Sequence, residues 1–257
     1  MPNTLRVSST AELGRRLADI ALEAAALIRP YWRSDVAVQR KADASPVTEA
    51  DQRAEALIEE RLRREFPGVL IVAEEASAER GVPDTAPDRF FLVDPLDGTR
   101  AFIAGSEHFT VNIALIEAGA PVAGAVVTPS DDRIWFTSGE GACVREGGRE
   151  RPIRVRRAPD PAEALLSRTT GPAEADRLGF THGFGPWRPI DSSVKFCLIA
   201  EGAADVYPRP GPTSEWDTAA GQAVLEAAGG RVDTADGERL RYGKTGFLNP
   251  AFVARGG

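Results

Sequence analysis

A short acidic segment at residues 94–99, DPLDGT, combines residue types that suit a site for a metal ion and a phosphate. Asp94 and Asp97 lie three residues apart, and the proline after Asp94 restricts the backbone between them, so both carboxylates can face one ion. The carbonyl oxygen of Leu96 can serve as a further ligand. Taken alone, the same string also fits an ordinary Asp-Pro turn, so its meaning depends on the other acids of the chain.

Gly98 and Thr99 complete this segment with groups that can contact a phosphate. Glycine lets a ligand approach the backbone closely. If the two residues open a helix, their amide groups direct hydrogen-bond donors at an anion. We therefore expect Gly98 and Thr99 to bind the phosphate of a substrate.

A second acidic segment, AEEA at residues 73–76, follows an apolar run. The adjacent carboxylates of Glu74 and Glu75 repel each other unless water or a cation screens them. Oxygen ligands without a nearby His or Cys favour a hard ion, so the pattern favours Mg²⁺ over Zn²⁺, with Mn²⁺ as a substitute. Each acid alone also fits a solvated surface group, because the chain has 38 Asp and Glu residues.

Two helices are predicted before these segments. Leucine, isoleucine and alanine recur at helical spacing over residues 10–33, where Thr10 can cap the helix. A second helix is predicted to start at Thr48, with Asp51 three residues later in its first turn. Thr48 fits a helix cap and a direct part in the site equally well.

Short apolar runs predict buried strands that end in carboxylates, at residues 69–72 and 90–93. Alternating apolar residues and turns over 109–138 predict an antiparallel meander. Residues 151–157 fit an exposed edge strand, and 181–191 show no clear periodicity. Further along, we predict a strand at 164–167, a Pro/Gly turn at 207–216 and a helix over 217–228 that ends at a glycine pair.

Composition restricts the class of protein. With 257 residues, of which 42% are hydrophobic, the chain can form one large domain or two lobes. Its net charge of -7 argues against binding to a nucleic-acid polymer or to a membrane surface. Two cysteines without a CxxC motif, no apolar leader and no long apolar stretch predict a cytoplasmic protein without a transmembrane segment.

Four blocks together resemble the inositol-monophosphatase superfamily of metal-dependent phosphatases. The resemblance implies an α+β fold, a layered α/β/α/β/α sandwich of the sugar-phosphatase type, with the metal site between two lobes. It treats residues 1–257 as a single phosphatase domain with a metal-site lobe at about 1–150 and a substrate-specificity lobe at about 151–257. The blocks occur in order at 41–51, 73–76, 94–99 and 216–221, and further matches at 109–116, 193–221 and 247–252 are most similar to bacterial 3'(2'),5'-bisphosphate nucleotidases.

The resemblance also implies a set of metal ligands. One Mg²⁺ would be held by Glu74, Asp94 and the Leu96 carbonyl, and a second by Asp94, Asp97 and Asp217. A third, weaker ion would rest mainly on Glu74 and water, and inhibition by Li⁺ is implied with it. Two ions in such a site can stabilise both the attacking and the leaving oxygen of an in-line displacement.

For catalysis, the resemblance assigns water activation to Thr99, supported by Asp51. Glu75 would position the attacking water. Lys41 would stabilise the acids electrostatically. A water whose pKa is lowered by a metal needs only a modest base, so these groups suffice for the chemistry.

Substrate choice is expected to depend on the second lobe. Ser193, Lys195 and Arg209 lie in the blocks most similar to the nucleotidases, and the two cations suit a second phosphate. Both cations also fit pairing with surface carboxylates. Asp191 and the insert at 171–189 depart from the pattern, and an Asp191 that faced the ligand would repel a second phosphate and favour a sugar monophosphate.

The resemblance thus implies a Mg²⁺-dependent phosphomonoesterase that converts 3'-phosphoadenosine 5'-phosphate to AMP and phosphate, a by-product clearance step of sulfate assimilation. Inositol monophosphatase, fructose-1,6-bisphosphatase and histidinol-phosphatase activities are alternatives within the superfamily. A non-catalytic module that binds divalent ions is the alternative outside it, and Thr99 with Asp51 beside the ligand set argues against that reading. The partner is a small phosphate ester, and a homodimer is compatible with the resemblance.

Overall fold

Helices form where apolar residues recur along one face. The computed structural model describes residues 10–34, 38–40, 46–139 and 141–257. The described residues form seven α-helices: α1 (Thr10–Ile28), α2 (Glu49–Glu65), α3 (Glu74–Arg80), α4 (Thr99–Ile103), α5 (Pro172–His182), α6 (Val194–Ala200) and α7 (Ala219–Ala227). Two 3₁₀ turns lie at Arg29–Tyr31 and Thr245–Phe247.

Strands fill most of the remaining chain. Their bounds are β1 (Val38–Arg40), β2 (Pro46–Thr48), β3 (Leu70–Ala73), β4 (Arg89–Asp97), β5 (Thr110–Glu117), β6 (Ala120–Thr128), β7 (Arg133–Ser138), β8 (Gly141–Glu146), β9 (Arg149–Ile153), β10 (Ala162–Leu166), β11 (Phe184–Pro189), β12 (Val206–Arg209), β13 (Thr213–Ser214), β14 (Arg231–Thr234), β15 (Leu248–Asn249) and β16 (Phe252–Arg255).

The larger sheet has seven strands in the order β3-β4-β5-β6-β7-β8-β9. Its first pair is parallel, and the other neighbours are antiparallel, as the predicted meander requires. The smaller sheet has five strands in the order β11-β10-β12-β16-β14. The chain passes from one sheet to the other between Ile153 and Ala162.

Side chains that alternate along the strands separate the core into layers. On β4, Phe91 and Val93 pack with α1 and α2, whereas Phe90 and Leu92 face α6 and α7. The five-stranded sheet shares this middle layer of helices, and its other face packs on α5. The order is therefore helix, sheet, helix, sheet, helix, which confirms the predicted α/β/α/β/α sandwich.

The middle helices pack closely because small residues line them. A Cβ on Gly221 of α7 would lie 2.6 Å from the ring of Phe196 on α6. A Cβ on Gly124 of β6 would lie 2.8 Å from the Cβ of Ala223. Both glycines therefore permit contacts that any larger residue would disrupt.

Most predicted elements are confirmed, with shifted ends. The first helix ends at Ile28, and a 3₁₀ turn containing Pro30 follows it, since proline removes a helix donor. The last predicted helix begins at Ala219, so Asp217 precedes it. None of the helices among the described residues is long and apolar enough to cross a bilayer.

Two local predictions are wrong, and a third has shifted bounds. The segment at 181–191, which shows no clear periodicity, contains the end of α5 and all of β11. The exposed edge strand predicted at 151–157 is confirmed as β9, the outer strand of the seven-stranded sheet, but it spans Arg149–Ile153. The turn predicted at 207–216 includes the end of β12 and the short strand β13. Lys41 lies outside the described residues.

Candidate active site

The register of two parallel strands brings the predicted acids together. Ala73 at the end of β3 pairs with Val93 of β4, so the next residues, Glu74 and Asp94, are neighbours at the same edge of the sheet. The pairing of β4 with β5 shifts between Asp94 and Asp97, where a proline interrupts the ladder. Ligand sites commonly form outside the carboxyl ends of parallel strands.

Glu74, Asp97 and Asp217 line one cavity of about 920 Å³, with Asp94 buried beside them. We name Glu74, Asp94, Asp97 and Asp217 the acid cluster. Asp217 reaches it from the segment before α7, and its carboxylate accepts a 2.9 Å hydrogen bond from the Ser214 amide. Thus four acids from three separate parts of the chain converge at one cleft.

Burial and mutual repulsion dominate the electrostatics of the acid cluster. Burial raises the pKa of Asp94 well above its usual range, and the charges of Glu74, Asp97 and Asp217 raise it further. Asp217 shows the same direction, because burial and the neighbouring acids Asp97 and Glu74 raise its pKa. Burial raises the pKa of Asp97 to about 6, and the opposing charge of Lys195 limits the rise. The carboxylates of these three aspartates are thus destabilised in their ionised form.

This donor set fits a hard divalent cation. Crowded carboxylates in a desolvated site are stabilised by a positive ion, and oxygen-only ligands suit Mg²⁺. The carbonyl of Leu96 lies at the same loop, where it accepts a 3.1 Å hydrogen bond from the Thr99 hydroxyl. Within the described part of the chain, no three His, Cys, Asp or Glu side chains already form a metal-holding group. The fit therefore depends on charge and ligand chemistry rather than on a preformed coordination sphere.

Asp51 connects the start of α2 to Thr99. One carboxylate oxygen accepts hydrogen bonds from the backbone N–H and the hydroxyl of Thr48, at 2.8 and 2.6 Å. The other accepts from the Thr99 hydroxyl at 3.4 Å. Burial raises the pKa of Asp51, and the Thr48 hydrogen bonds oppose the rise. Thr48 is therefore a helix cap that also holds Asp51 toward Thr99.

Gly98 and Thr99 open α4, as predicted for a phosphate contact. Gly98 has a φ of 90°, a left-handed conformation that glycine adopts without strain. A Cβ there would lie 3.2 Å from the carbonyl oxygen of His108, so the position is also crowded. Both Gly98 and Thr99 line the 920 Å³ cavity.

Glu75 is held by a residue that sequence reasoning missed. Glu75 lines a second cavity of about 420 Å³, together with Glu55 and Glu59. The buried Glu55 carboxylate accepts hydrogen bonds of 2.7 Å from the amides of Glu75 and Ala76. The spacing of Glu55 could have indicated this role, because Glu55 lies four residues after Asp51 and so on the same face of α2.

Ser193 and Lys195 lie next to Asp97 of the acid cluster. The Ser193 amide donates to Asp97 at 2.6 Å, and its hydroxyl donates to Asn112 at 2.7 Å. The Lys195 ammonium is buried and donates to the carbonyls of Ile190 and Ser192 at 3.0 and 2.6 Å. Two of its three donors are thus used within the protein, and direct contacts of Ser193 and Lys195 with substrate stay predictions.

Arg209 lies on the cleft side of the five-stranded sheet. It lines the 920 Å³ cavity and also a smaller one of about 120 Å³ beside Lys195 and Tyr207. Its Nε atom is buried and finds no hydrogen-bond partner in the described structure. A buried donor in this state is available to an anion, as the prediction of a phosphate contact requires.

Asp191, the departure from the family pattern, does line the cavity. Its carboxylate is paired with the Arg168 guanidinium at 2.8 Å. Residues 171–189, all of which the structure describes, do not line the cavity. The insert therefore forms no part of the cavity lining. The charge of Asp191 is balanced by that of Arg168.

Comparisons with known proteins agree with this architecture. A family model described as the inositol monophosphatase family matches residues 12–255. The 3'(2'),5'-bisphosphate nucleotidase CysQ of Salmonella typhimurium is 44% identical over 214 residues, which cover 83% of this chain and 86% of the relative. The histidinol-phosphatase of Mycobacterium tuberculosis is 34% identical, with 79% of each chain covered.

Solved structures show the same similarity. The crystal structure of CysQ from Bacteroides thetaiotaomicron, a bacterial member of the inositol monophosphatase family, matches with a TM-score of 0.78 and 33% identity, covering 96% of this chain and 97% of the other. An inositol monophosphatase from Anabaena matches with a TM-score of 0.74 and 30% identity, covering 95% and 90%.

Proposed function

The chain belongs to the inositol monophosphatase family of metal-dependent phosphatases, and on that premise we propose that it is a Mg²⁺-dependent 3'(2'),5'-bisphosphate nucleotidase. It removes the 3'-phosphate of 3'-phosphoadenosine 5'-phosphate and yields AMP and phosphate. The observation that carries the proposal is the convergence of the acid cluster with arginines in one cavity. The CysQ relatives support the choice of substrate.

The charge of the cleft suits a substrate with two phosphates. Four arginines line the cavity beside the acids, so an anion can be held both at the acid cluster and away from it. Two of them, Arg168 and Arg33, pair with the cavity carboxylates Asp191 and Glu107 but keep about half of their side-chain surface exposed. The four are Arg33, Arg100, Arg168 and Arg209.

In the proposed site, Glu74, Asp94, the Leu96 carbonyl, Asp97 and Asp217 hold the metal. Bound Mg²⁺ supplies Lewis-acid chemistry, lowering the pKa of water and neutralising phosphate charge. Support for this set is the raised pKa of Asp94, which burial and its acidic neighbours cause. Two or three ions, and Mn²⁺ as a substitute, are part of the proposal.

The proton of the attacking water passes through residues of this chain. Thr99 accepts it while the Thr99 hydroxyl proton moves to Asp51, along the contact between Thr99 Oγ1 and Asp51 Oδ1. Water oxygen bonds to phosphorus as the bond to the sugar 3'-oxygen breaks, and that oxygen takes a proton from solvent, so AMP leaves with a 3'-hydroxyl. The raised pKa of Asp51, caused by its burial, suits a base of this kind. Glu75 lines the separate 420 Å³ cavity, so its part in positioning the water stays a prediction.

Phosphate release from a panel of esters with Mg²⁺ tests the proposal. The panel contains 3'-phosphoadenosine 5'-phosphate, inositol monophosphate, fructose 1,6-bisphosphate and histidinol phosphate. We expect the nucleotide to have the highest kcat/KM. Histidinol phosphate is the rival favoured by a relative. A best substrate without a nucleotide would overturn the proposal, and no hydrolysis of any ester would favour a non-catalytic ion-binding module.

Two further expectations accompany this function. We propose that the protein acts in the cytoplasm, where the reaction would remove a by-product of sulfate assimilation, and that it assembles as a homodimer. Size-exclusion chromatography with light scattering tests the assembly against the mass of 27.5 kDa per chain. Cell fractionation tests the location. A lobe boundary near residue 150 likewise stays a prediction.

A further inference from the structure

The ends of two parallel strands place a charged pair at the rim of the cleft. β10 ends at Leu166, and β11, its parallel neighbour, ends at Pro189. The residues that follow each strand therefore meet at the same edge of the five-stranded sheet. Arg168 follows β10 and Asp191 follows β11, and both line the cavity that contains the acid cluster.

The geometry fixes the orientation of the Arg168 guanidinium. Its Nε donates to Asp191 Oδ2 at 2.8 Å, and Nη2 donates to His108 Nδ1 at 3.3 Å. Guanidinium has five N–H donors, so these two contacts leave three available on its terminal nitrogens. The side chain keeps 51% of its exposure, so these donors remain accessible to a ligand in the cavity.

Two of the other cavity arginines are placed differently. Arg33 stacks on Trp32 with 4.0 Å between its guanidinium carbon and the ring, and its Nε donates to the Gly105 carbonyl. Arg209 lies next to the acid cluster, because it also lines the 120 Å³ cavity together with Asp97 and Asp217. Arg33 also pairs with Glu107, a second carboxylate of the cavity lining, at 3.4 Å, whereas Arg168 is paired with Asp191.

We propose that Arg168 is a specificity-determining residue that binds the substrate phosphate not undergoing hydrolysis, and that Asp191 is the positioning residue that fixes Arg168 for this contact. The inference rests on the proposed function. In this proposal Asp191 strengthens binding of the second phosphate, whereas simple charge repulsion would weaken it. By holding Nε, Asp191 directs the remaining donors to the ligand and reduces the entropy lost on binding.

Two nucleotides that share the scissile group test the contact. The 3'-phosphate of 3'-phosphoadenosine 5'-phosphate is also present in 3'-AMP, which lacks the 5'-phosphate. We define the preference as the ratio of kcat/KM for the bisphosphate to that for 3'-AMP. We expect Arg168→Ala to lower the preference at least about tenfold, mainly by raising KM for the bisphosphate. A tenfold change corresponds to about 1.4 kcal/mol of binding free energy. Arg168→Lys should lower it less, because charge remains without the planar fork.

Asp191→Ala tests whether Asp191 favours or opposes binding of the bisphosphate. We expect it to lower the preference about threefold or more, and the double variant Arg168→Ala/Asp191→Ala to match Arg168→Ala alone, because Asp191 acts through Arg168. Arg177→Ala is the matched control, since this exposed arginine of α5 does not line the cavity and should leave the preference unchanged. Melting temperatures confirm that each variant is folded.

The outcomes separate the inference from the function on which it rests. A wild-type protein that hydrolyses neither nucleotide would overturn both. A wild-type protein that prefers the bisphosphate, with a preference that Arg168→Ala leaves unchanged, would overturn the inference alone. A higher preference in Asp191→Ala would show that Asp191 repels the substrate and would also overturn it.

Discussion

The Glu55 carboxylate accepts a hydrogen bond of 2.7 Å from the backbone N–H of Glu75. Its other oxygen accepts one of the same length from Ala76. The first amides of a helix lack partners within it, and the Ala73 side chain gives α3 no cap. A buried glutamate of α2 therefore caps α3 and fixes the direction in which Glu74 enters the cleft.

We predict that Glu55→Ala weakens metal binding without removing any proposed metal ligand. Loss of both acceptors leaves two amide donors unpaired and should lower the free energy of unfolding by about 2–3 kcal/mol. Because Glu74 loses its fixed direction, the Mg²⁺ concentration for half-maximal activity should rise about tenfold. Glu55→Gln, which keeps one acceptor, should show a smaller rise. Mg²⁺ titrations of phosphatase activity measure this rise in both variants, and chemical denaturation measures the change in unfolding free energy.

Glu60→Gln is the matched control for this prediction, because Glu60 is an exposed acid of the same helix. Its Mg²⁺ curve should coincide with that of the wild type. If Glu55→Ala were less stable but had the wild-type Mg²⁺ curve, Glu55 would act only in folding.

Asp94→Asn should separate stability from activity. Asp94 is buried at 1% exposure among three acids, so removal of its charge relieves repulsion in the metal-free protein. We expect a higher melting temperature than the wild type in EDTA. Loss of a central proposed ligand should lower kcat at least about a thousandfold, which is about 4 kcal/mol of activation free energy. Near-normal activity would contradict the proposed metal site.

The pH dependence of stability should differ between the metal-free and the metal-bound protein. Burial raises the pKa of folded Asp97 from 3.8 to about 6, and burial and neighbouring acids raise those of Asp94 and Asp217. Folded groups then hold protons that the unfolded chain has lost, so this contribution to stability is full below about pH 4 and is lost as pH rises through 6. In EDTA, the melting temperature should therefore fall from pH 5 to pH 8.

Added Mg²⁺ should oppose this loss, because it binds the ionised carboxylates of the folded chain. At a concentration one hundred times Kd, binding adds about 2.7 kcal/mol. For a chain of this size, that corresponds to a rise of about 5 °C or more in melting temperature. The rise should be larger at pH 8 than at pH 5, and an equal rise at both would exclude the acid cluster as its source.

Local signals made the acids of the site predictable. The capping pair of Thr48 and Asp51 is defined within four residues, and the structure reproduces it. The DPLDGT segment, which begins within the end of β4, likewise carries its turn chemistry in the sequence. The meeting of Glu74 with Asp94 follows once two apolar runs are placed as parallel neighbours.

Other features depend on contacts that a sequence pattern does not encode. α5 buries only Ala175 and Leu178, and its Phe180 is 94% exposed, so the helix has no strong apolar stripe. β11 is an edge strand in which only Phe184 is buried, so alternation is lost. The burial of Lys195, and its bonds to backbone carbonyls, likewise required the fold.

Thr99→Val should lower kcat with a smaller change in KM. Valine keeps the shape of threonine but removes the hydroxyl that contacts Asp51 and the Leu96 carbonyl. General acid–base groups contribute about a hundredfold or more to rate, so we expect a loss of that order. Thr99→Ser keeps the hydroxyl and should retain most activity. Equal losses in both variants would indicate a packing effect of the Thr99 methyl group instead of proton transfer.

Glu215 positions the segment that carries Asp217. The carboxylate of Glu215 is fully buried and accepts hydrogen bonds from the amides of Gly243 and Lys244 at 2.7 and 3.0 Å. The Lys244 ammonium donates to it at 2.5 Å. These contacts tie the residues before α7 to the chain near the C-terminus, although neither charged group lines the cleft.

We predict that Glu215→Gln lowers the free energy of unfolding by about 2 kcal/mol, because charge-assisted hydrogen bonds contribute about 1.5–3 kcal/mol each and the Lys244 ammonium loses its counter-charge. Movement of Asp217 should also raise the Mg²⁺ concentration needed for activity. The double variant Glu215→Gln/Lys244→Met removes the unpaired cation and should recover part of the stability. Chemical denaturation measures the unfolding free energies, and additive losses in the double variant would show that the two side chains act independently.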